Sequence, residues 1–335
     1  MNTWLGRMLN IVTGVILAKG ALALPMEQPI TLSTPTGELV GTLQPADRGG
    51  KMPVALLIAG SGPTDRDGNS PVLPGRNDSL KLLARELAEA GYASVRYDKR
   101  GIGASREAGP SESALRFETY VEDAVAWVGK LNGDERFSQT FIVGHSEGAL
   151  IGMAASKKAA VSAFISLAGS ADTAAGLLRK QLAGKLPPDL AIENERILSA
   201  LESGKKADNI PAGLAVLYRD SVQPYLISWF KYVPSRIIAS LKIPVLIVQG
   251  TSDIQVPAEQ ALALRAAKPD AAIAIIPGMN HALKKASSDR SQQEITYLDP
   301  EIPLHPGLMT HITAFLRQSL ESIGIQSQRF AQKEE

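Results

Sequence analysis

The sequence has 335 residues, with 35 Lys+Arg against 34 Asp+Glu, 44% hydrophobic residues and no cysteine. That length can bury a core needing no staples, as one large α/β domain with an insertion or as two ordinary domains. The missing cysteines exclude disulfides, thiolate metal sites, Fe–S clusters, a cysteine nucleophile and an acylated cysteine. The balanced charge argues against nucleic acid as a partner, because such proteins carry a basic face that exchanges counterions with phosphate.

Met1 to Ala23 has the pattern of a targeting segment. Arg7 supplies a positive start, Met8 to Ala18 is mostly apolar, and Ala21-Leu22-Ala23 is a small-x-small cleavage site. The apolar run is short of the ~20 residues a membrane span needs, so a cleaved export signal is expected rather than a permanent anchor. Losing Arg7 and Lys19 with no acid takes the formal charge from +1 to −1. The expectation is an exported protein, periplasmic or secreted, without stable membrane insertion once the signal is removed.

Ile30 to Ser33 and Glu38 to Leu43 read as two strands around the turn Pro35-Thr36-Gly37. From Val54 to Ala59 the pattern becomes a continuous apolar run, which suits a strand buried on both faces. Similar runs recur at Ala93 to Tyr97, Thr140 to Val143, Ala163 to Leu167, Val245 to Val248 and Ala272 to Ile276. Helical periods lie between them. Ser79 to Ala90 aligns Leu80, Leu83, Leu87 and Ala90, with Asp78 as N-cap and Gly91 as stop. Phe117 to Leu131, Glu147 to Lys157, Ala258 to Ala267 and Met309 to Ile323 follow. Alternation of this kind predicts βαβ units and a mostly parallel sheet. It is interrupted between Gly169 and Ile243, a stretch far longer than a crossover needs.

The expected organisation is therefore a signal at 1–23, a core in two parts at 24–169 and 243–325, a mainly helical cap at 170–242, and a fraying polar tail at 326–335. The cap gathers Tyr218, Tyr225, Trp229, Phe230 and Tyr232. Aromatic clusters usually pack a core. The alternative is a wall for an acyl or aromatic substrate group, with Tyr218, Tyr225, Trp229 and Phe230 as candidate binding residues.

Gly144-His145-Ser146-Glu147-Gly148 joins a strand to an alanine-rich helix, the setting in which G-x-S-x-G forms a nucleophile elbow. The pattern alone is weak, with about 0.2 chance matches expected in such a chain, and a capping serine is the plainer reading. A serine nucleophile needs a base, and the usual base is a histidine held in one tautomer by a carboxylate. His281 follows the last apolar run, at the carboxyl edge of the sheet where ligands of open α/β sheets bind. His145 is expected to turn away from the serine into local packing or hydrogen bonding, and His305 and His311 lie beyond any strand end. Asp253, just after Val245 to Val248, is the first choice of carboxylate. Asp172 is its rival, and a turn-forming aspartate the structural alternative. Oxyanion donors are expected from the Glu147 N–H and the Ser61 N–H. Asp65, Arg66 and Asp67 either tie their loop together or offer Arg66 to an anionic substrate group.

With these residues in place, the chain resembles the α/β-hydrolases, in the bacterial serine esterase branch with a Gly-Ser-Gly-Pro-x-Asp-Arg-Asp-Gly loop, here Gly60 to Gly68. Serine aminopeptidase-like hydrolases are close relatives of that branch. Tyr97 to Ser105 matches the branch's D-x-R-G-x-G-x-S segment, while Ala59 departs from the histidine many relatives carry before the oxyanion glycine. The resemblance implies hydrolysis of small-molecule carboxylic esters through an acyl-enzyme on Ser146, His281 and Asp253, with no metal or cofactor. A peptidase or acyl-thioester hydrolase is the rival, an aminopeptidase needing an acidic cap group such as Glu193, Glu195 or Glu202 for the substrate ammonium. A catalytically silent binding protein is the remaining alternative. Acyl specificity and oligomeric state are not readable from the sequence.

Overall fold

The structure, a computed structural model, describes residues 24–287, 289 and 293–331, with side chains as far as Ser319. The leader-like stretch Met1 to Ala23 lies outside the described residues. Eight strands form one sheet in the order β1-β2-β4-β3-β5-β6-β7-β8. These are β1 (Gln28–Thr34), β2 (Gly37–Gln44), β3 (Met52–Ile58), β4 (Ala93–Tyr97), β5 (Phe137–His145), β6 (Phe164–Leu167), β7 (Val245–Gly250) and β8 (Ala272–Ile276). β1 and β2 make the expected hairpin, Thr34 opposite Gly37, and β2 pairs antiparallel with β4. Every later pairing, from β4-β3 across to β7-β8, is parallel.

Alternate residues of the buried strands feed two cores, as the pleat requires. Phe141, Val143 and Ile165 face one layer of helices, α1 (Ser79–Glu89) with Leu80, Leu83 and Leu87, and the C-terminal helix with Leu308, Ile312 and Leu316. Ile142, Phe164 and Val245 face the other, formed by α2 (Phe117–Asn132), α3 (Glu147–Ser156), the helices between β6 and β7, and the helix after β7. The segment between β6 and β7 carries α4 (Ala174–Leu182), α5 (Pro188–Glu202), α6 (Ala215–Tyr218), α7 (Gln223–Phe230) and α8 (Pro234–Ala239). After β7 come α9 (Ala258–Ala267) and α10 (Pro306–Ala331).

One local expectation needs correction. Asp78 precedes α1 but does not cap it: it sits at φ 48° with no side-chain cap bond, its carboxylate held by Asn69 and Arg76, while Asn77 Oδ1 accepts from Ser79 N at 2.9 Å. The last four residues of the polar tail lie outside the described residues, and α10 runs to Ala331. No proline interrupts it there, and Gln, Arg and Ala are adequate helix formers.

The topology fixes where a site can form. From β3 the chain goes to β4 on one side, and from β5, paired on the other side of β3, it goes on to β6, so the connections leaving β3 and β5 run in opposite directions. Open α/β sheets bind ligands at such a switch point. Ile58 pairs with Gly144 as the two strands end, bringing the Gly60 loop beside Ser146. Among the described residues, no helix is long and apolar enough to cross a membrane, and no group of three or more His, Asp or Glu is placed to hold a metal.

Candidate active site

β5 ends at His145 and α3 starts at Glu147, leaving Ser146 alone in the turn at φ 56°, ψ −120°. A side-chain-bearing residue in such a conformation costs on the order of 1–3 kcal/mol and persists only where its surroundings fix it. Here Ser146 N donates to Leu167 O at 2.9 Å, and Ser146 O accepts from Ala149 N at 3.0 Å. Both flanking glycines are required: a Cβ on Gly144 would lie 2.2 Å from Gly148 O, and one on Gly148 would lie 2.2 Å from Ile58 O. Ser146 makes no side-chain cap bond to α3. The capping role that sequence offered as the plainer alternative is therefore not what the hydroxyl does.

His281 and Asp253 are delivered by neighbouring strand ends. The loop after β8 closes over Gly250, where a Cβ would lie 1.9 Å from Met279 O. Asn280 pins that loop, its Oδ1 accepting from Lys284 N at 3.1 Å and its Nδ2 donating to Thr296 Oγ1 at 2.6 Å. His281 Nδ1 then meets Asp253 Oδ2 at 2.7 Å. The carboxylate also accepts from Gln249 Nε2 at 2.9 Å and from the Gln255 and Val256 amides at 2.8 and 2.9 Å. Burial pushes the Asp253 carboxyl up, but the His281 charge, the His281 hydrogen bond and the two amides outweigh it and hold the pKa below the ordinary value. An ionised carboxylate makes Nδ1 the proton-bearing nitrogen and leaves Nε2 as the acceptor.

Ser146, His281, Ser61 and Gly60 line one cavity of about 240 Å³, with Val72, Leu73 and Tyr297 on its walls. A Cβ built on Gly60 would lie 3.3 Å from Ser146 Cβ, so the loop backbone runs directly alongside the serine. The rival acid Asp172 is occupied elsewhere, by Lys180 at 2.6 Å and Gln260 at 2.8 Å.

The two motif loops are tied to each other. Asp98 accepts from the Arg66 and Ala104 amides, each at 2.8 Å, and pairs with the Arg66 guanidinium at 2.9 Å. Gly103 packs against that carboxylate, where a Cβ would lie 2.4 Å from Oδ2. Asp65 Oδ1 accepts from the Asp67 and Asn69 amides at 2.9 Å each. Arg66 thus serves loop structure rather than an incoming anion.

The chain is similar to known proteins in sequence and in fold. Residues 74–211 match the family model described as serine aminopeptidase, S33. The chain is 28% identical over 207 residues to Esterase EstD of Thermotoga maritima, covering 62% of this chain and 48% of EstD, so it spans about half that relative's length. Est1E from Butyrivibrio proteoclasticus, solved with ferulic acid bound, superposes with a TM-score of 0.59 at 20% identity, over 87% of this chain and 99% of that one. An esterase from Pyrococcus furiosus gives 0.54 at 16% identity, over 88% and 91%. The chain has the α/β-hydrolase fold.

Within that hydrolase fold the four aromatic binding candidates separate. Tyr225 lines a second cavity, of about 340 Å³, with Glu147, Lys99, Tyr120 and Val222. Tyr218 is wholly buried with its hydroxyl on Asn194 at 2.7 Å, and Phe230 is buried in the core. Trp229 stacks on Phe117 at 6.1 Å between ring centroids. Those three pack the cap on α2 and on itself instead of lining either cavity, because apolar rings gain most where protein surrounds them. The acidic cap residues are also spoken for, Glu195 and Glu202 by Arg179 and Glu193 by Arg196.

Three further residues contribute: His145, whose hydrogen-bonding role was expected but whose partner was not, and Gln249 and Lys99, which were not foreseen. His145 reaches past the elbow, its Nε2 donating to the His281 carbonyl at 2.9 Å and its ring 4.7 Å from the His281 ring. Burial, then the His281 charge, push the His145 pKa down to about 3, so it stays neutral. Gln249 holds Asp253, and its only sequence signal is a polar residue ending an apolar strand. Lys99 is the third: it is buried against Glu147 Oε2 at 2.9 Å and the Gly60 carbonyl at 2.6 Å.

Proposed function

We propose that this protein is a serine hydrolase of carboxylic esters, working through an acyl-enzyme. The observation that carries the reading is that His281, held by Asp253 through Nδ1, lines one cavity with a serine held at positive φ and unused as a cap. Ser146 Oγ attacks the ester carbonyl while His281 Nε2 takes its proton, forming the C–O bond of a tetrahedral intermediate. The Ser61 and Glu147 N–H groups receive the oxyanion, aided by the N-terminus of α3. Collapse breaks the bond to the alcohol oxygen, which leaves with the proton from His281. Water, deprotonated by the same nitrogen, then attacks the acyl-enzyme and regenerates Ser146. The esterase relatives support this reading over a peptidase, and the cap acids that would capture a substrate ammonium are engaged by arginines. The 240 Å³ cavity, walled by Val72, Leu73 and Tyr297, suits short or aromatic acyl groups.

The test is hydrolysis of p-nitrophenyl esters from acetate to palmitate, beside Ser146→Ala. The expected result is a short-chain optimum and a loss of several orders of magnitude in the variant. Turnover of aminoacyl p-nitroanilides alone would overturn the esterase reading, and full activity in Ser146→Ala would overturn the nucleophile. On the leader-like pattern of Met1 to Ala23 we place the enzyme outside the cytoplasm. Cell fractionation with sequencing of the mature N-terminus checks this, and an intact N-terminus in the cytosolic fraction refutes it.

A further inference from the structure

We propose that Lys99 is a positioning residue for the oxyanion hole, its buried ammonium clamping the peptide that presents one oxyanion donor to the side chain of the residue that presents the other. The inference rests on the serine-hydrolase reading above. Lys99 leaves the end of β4 and is 1% exposed. Its Nζ donates to Gly60 O at 2.6 Å and to Glu147 Oε2 at 2.9 Å. Tyr225 donates its hydroxyl to the other oxygen, Glu147 Oε1, and the ammonium sits 5.0 Å from the centre of the Tyr120 ring.

Gly60 C=O and Ser61 N–H belong to one planar peptide, and in a trans peptide they point in opposite directions. No cis peptide occurs among the described residues. A cation that fixes the carbonyl therefore fixes the N–H on the opposite edge, in a loop whose backbone runs alongside Ser146 and whose Ser61 lines the same cavity. It also polarises that N–H, because charge-assisted hydrogen bonds are shorter and stronger than neutral ones. The loop needs such a tether, since Gly60 and Gly62 give it little intrinsic stiffness, and Gly62 sits at φ 69°. Glu147 completes the link: its backbone N–H is the second donor while its side chain anchors the ammonium. A buried pair of this kind is weak evidence of stabilisation, because desolvation offsets most of the attraction. Its placement on both donors gives it a job that stability alone does not.

The experiment compares wild type, Lys99→Met and Lys99→Met/Glu147→Gln for kcat, KM, thermal midpoint and inhibition by an alkyl boronic acid, which forms a tetrahedral adduct on the serine. Lys99→Met alone strands a buried carboxylate, so its folding can suffer. The double variant removes both charges and keeps the Tyr225 contact, and it should recover the thermal midpoint. The expected result is a kcat about 10- to 100-fold below wild type in the double variant, less than the full loss of one oxyanion donor. KM should stay nearly unchanged, and boronate affinity should fall in parallel with kcat. Recovery of kcat together with stability would overturn the proposal, leaving Lys99 as a charge partner only. Ester hydrolysis absent from wild type, or surviving Ser146→Ala, would overturn the serine-hydrolase reading and this proposal with it. Hydrolysis lost in Ser146→Ala but equal in wild type and double variant would overturn the proposal alone.

Discussion

Asp253 and His145 show how two neighbouring residues of the site respond differently to burial. Asp253 has four hydrogen bonds to its carboxylate, and Asp253→Asn retains its size while losing the charge that fixes the His281 tautomer. Its kcat should drop by about 10³–10⁴, as tautomer loss does in other triads, with the fold intact by circular dichroism. At His145 burial and the His281 charge outweigh the pull of Asp253 and hold the ring neutral, its pKa pushed down to about 3 from 6.5. The unfolded chain binds that proton from about pH 6.5 downward and the folded one does not, so stability is fully present above pH 6.5 and is lost as pH falls toward 3. The slope is ~1.4 kcal/mol per pH unit for this one proton. Urea unfolding of wild type and His145→Gln at pH 7 and pH 5 checks it: the variant should lose less stability on acidification, and equal losses would refute the assignment. The placement of Ser146, His281 and Asp253 at strand ends was legible because each follows a strand-like apolar run. For His145 a packing or hydrogen-bonding role was legible but its partner was not, because spacing fixes which way a side chain leaves the backbone but not how far its ring reaches, here to a carbonyl 136 positions away.

At the scale of elements, the sequence was most informative where burial imposed a repeated pattern. The runs at Val54, Ala93, Thr140, Ala163, Val245 and Ala272 all became strands, since a parallel strand covered on both faces admits little but apolar residues. Asp78 failed as a cap because a tertiary partner, Asn69, competed for its carboxylate, a contact invisible to local propensity. The glycines of the elbow are elements in themselves. In Gly148→Ala the new methyl would meet Ile58 O at 2.2 Å and Ala59 O at 2.6 Å, with backbone on every side and nothing flexible to yield. The end of β3 must then move away from α3, taking Gly60 and Ser61 with it. Activity should fall at least 100-fold while the thermal midpoint falls by only a few degrees, since the displacement acts on the oxyanion donor first. A kinetic scan beside a melting curve decides. Normal kcat in a folded Gly148→Ala would show that the elbow does not set the loop.

For the whole molecule, the question is which part sets acyl preference, the cap or the loop between β3 and α1. Three of the cap's aromatics, Tyr225, Trp229 and Tyr232, cluster on Phe117 of α2: Phe117 lies 4.6 Å from Tyr232 and 6.1 Å from Trp229 between ring centroids, and Ser228 Oγ accepts from Phe117 N at 2.8 Å. That cluster read from sequence as either packing or a substrate wall, and composition alone could not separate the two because both favour the same rings. Its burial favours packing, so Phe117→Ala should cost about 3–5 kcal/mol in urea unfolding, as for other fully buried aromatics. The same substitution should leave the ranking of acetyl, butyryl and longer esters intact. Leu73 behaves oppositely. It is 40% exposed, so trimming it removes little core, yet it lines the serine's cavity and the larger cleft of about 820 Å³ that also touches Tyr297 and Gln255. Leu73→Ala joins those spaces more openly, and its kcat/KM optimum should shift toward longer acyl chains with a stability change under about 1 kcal/mol. If Phe117→Ala reorders the ester series and Leu73→Ala does not, acyl selection belongs to the cap, and the cluster holds the cap over the site as a specificity element.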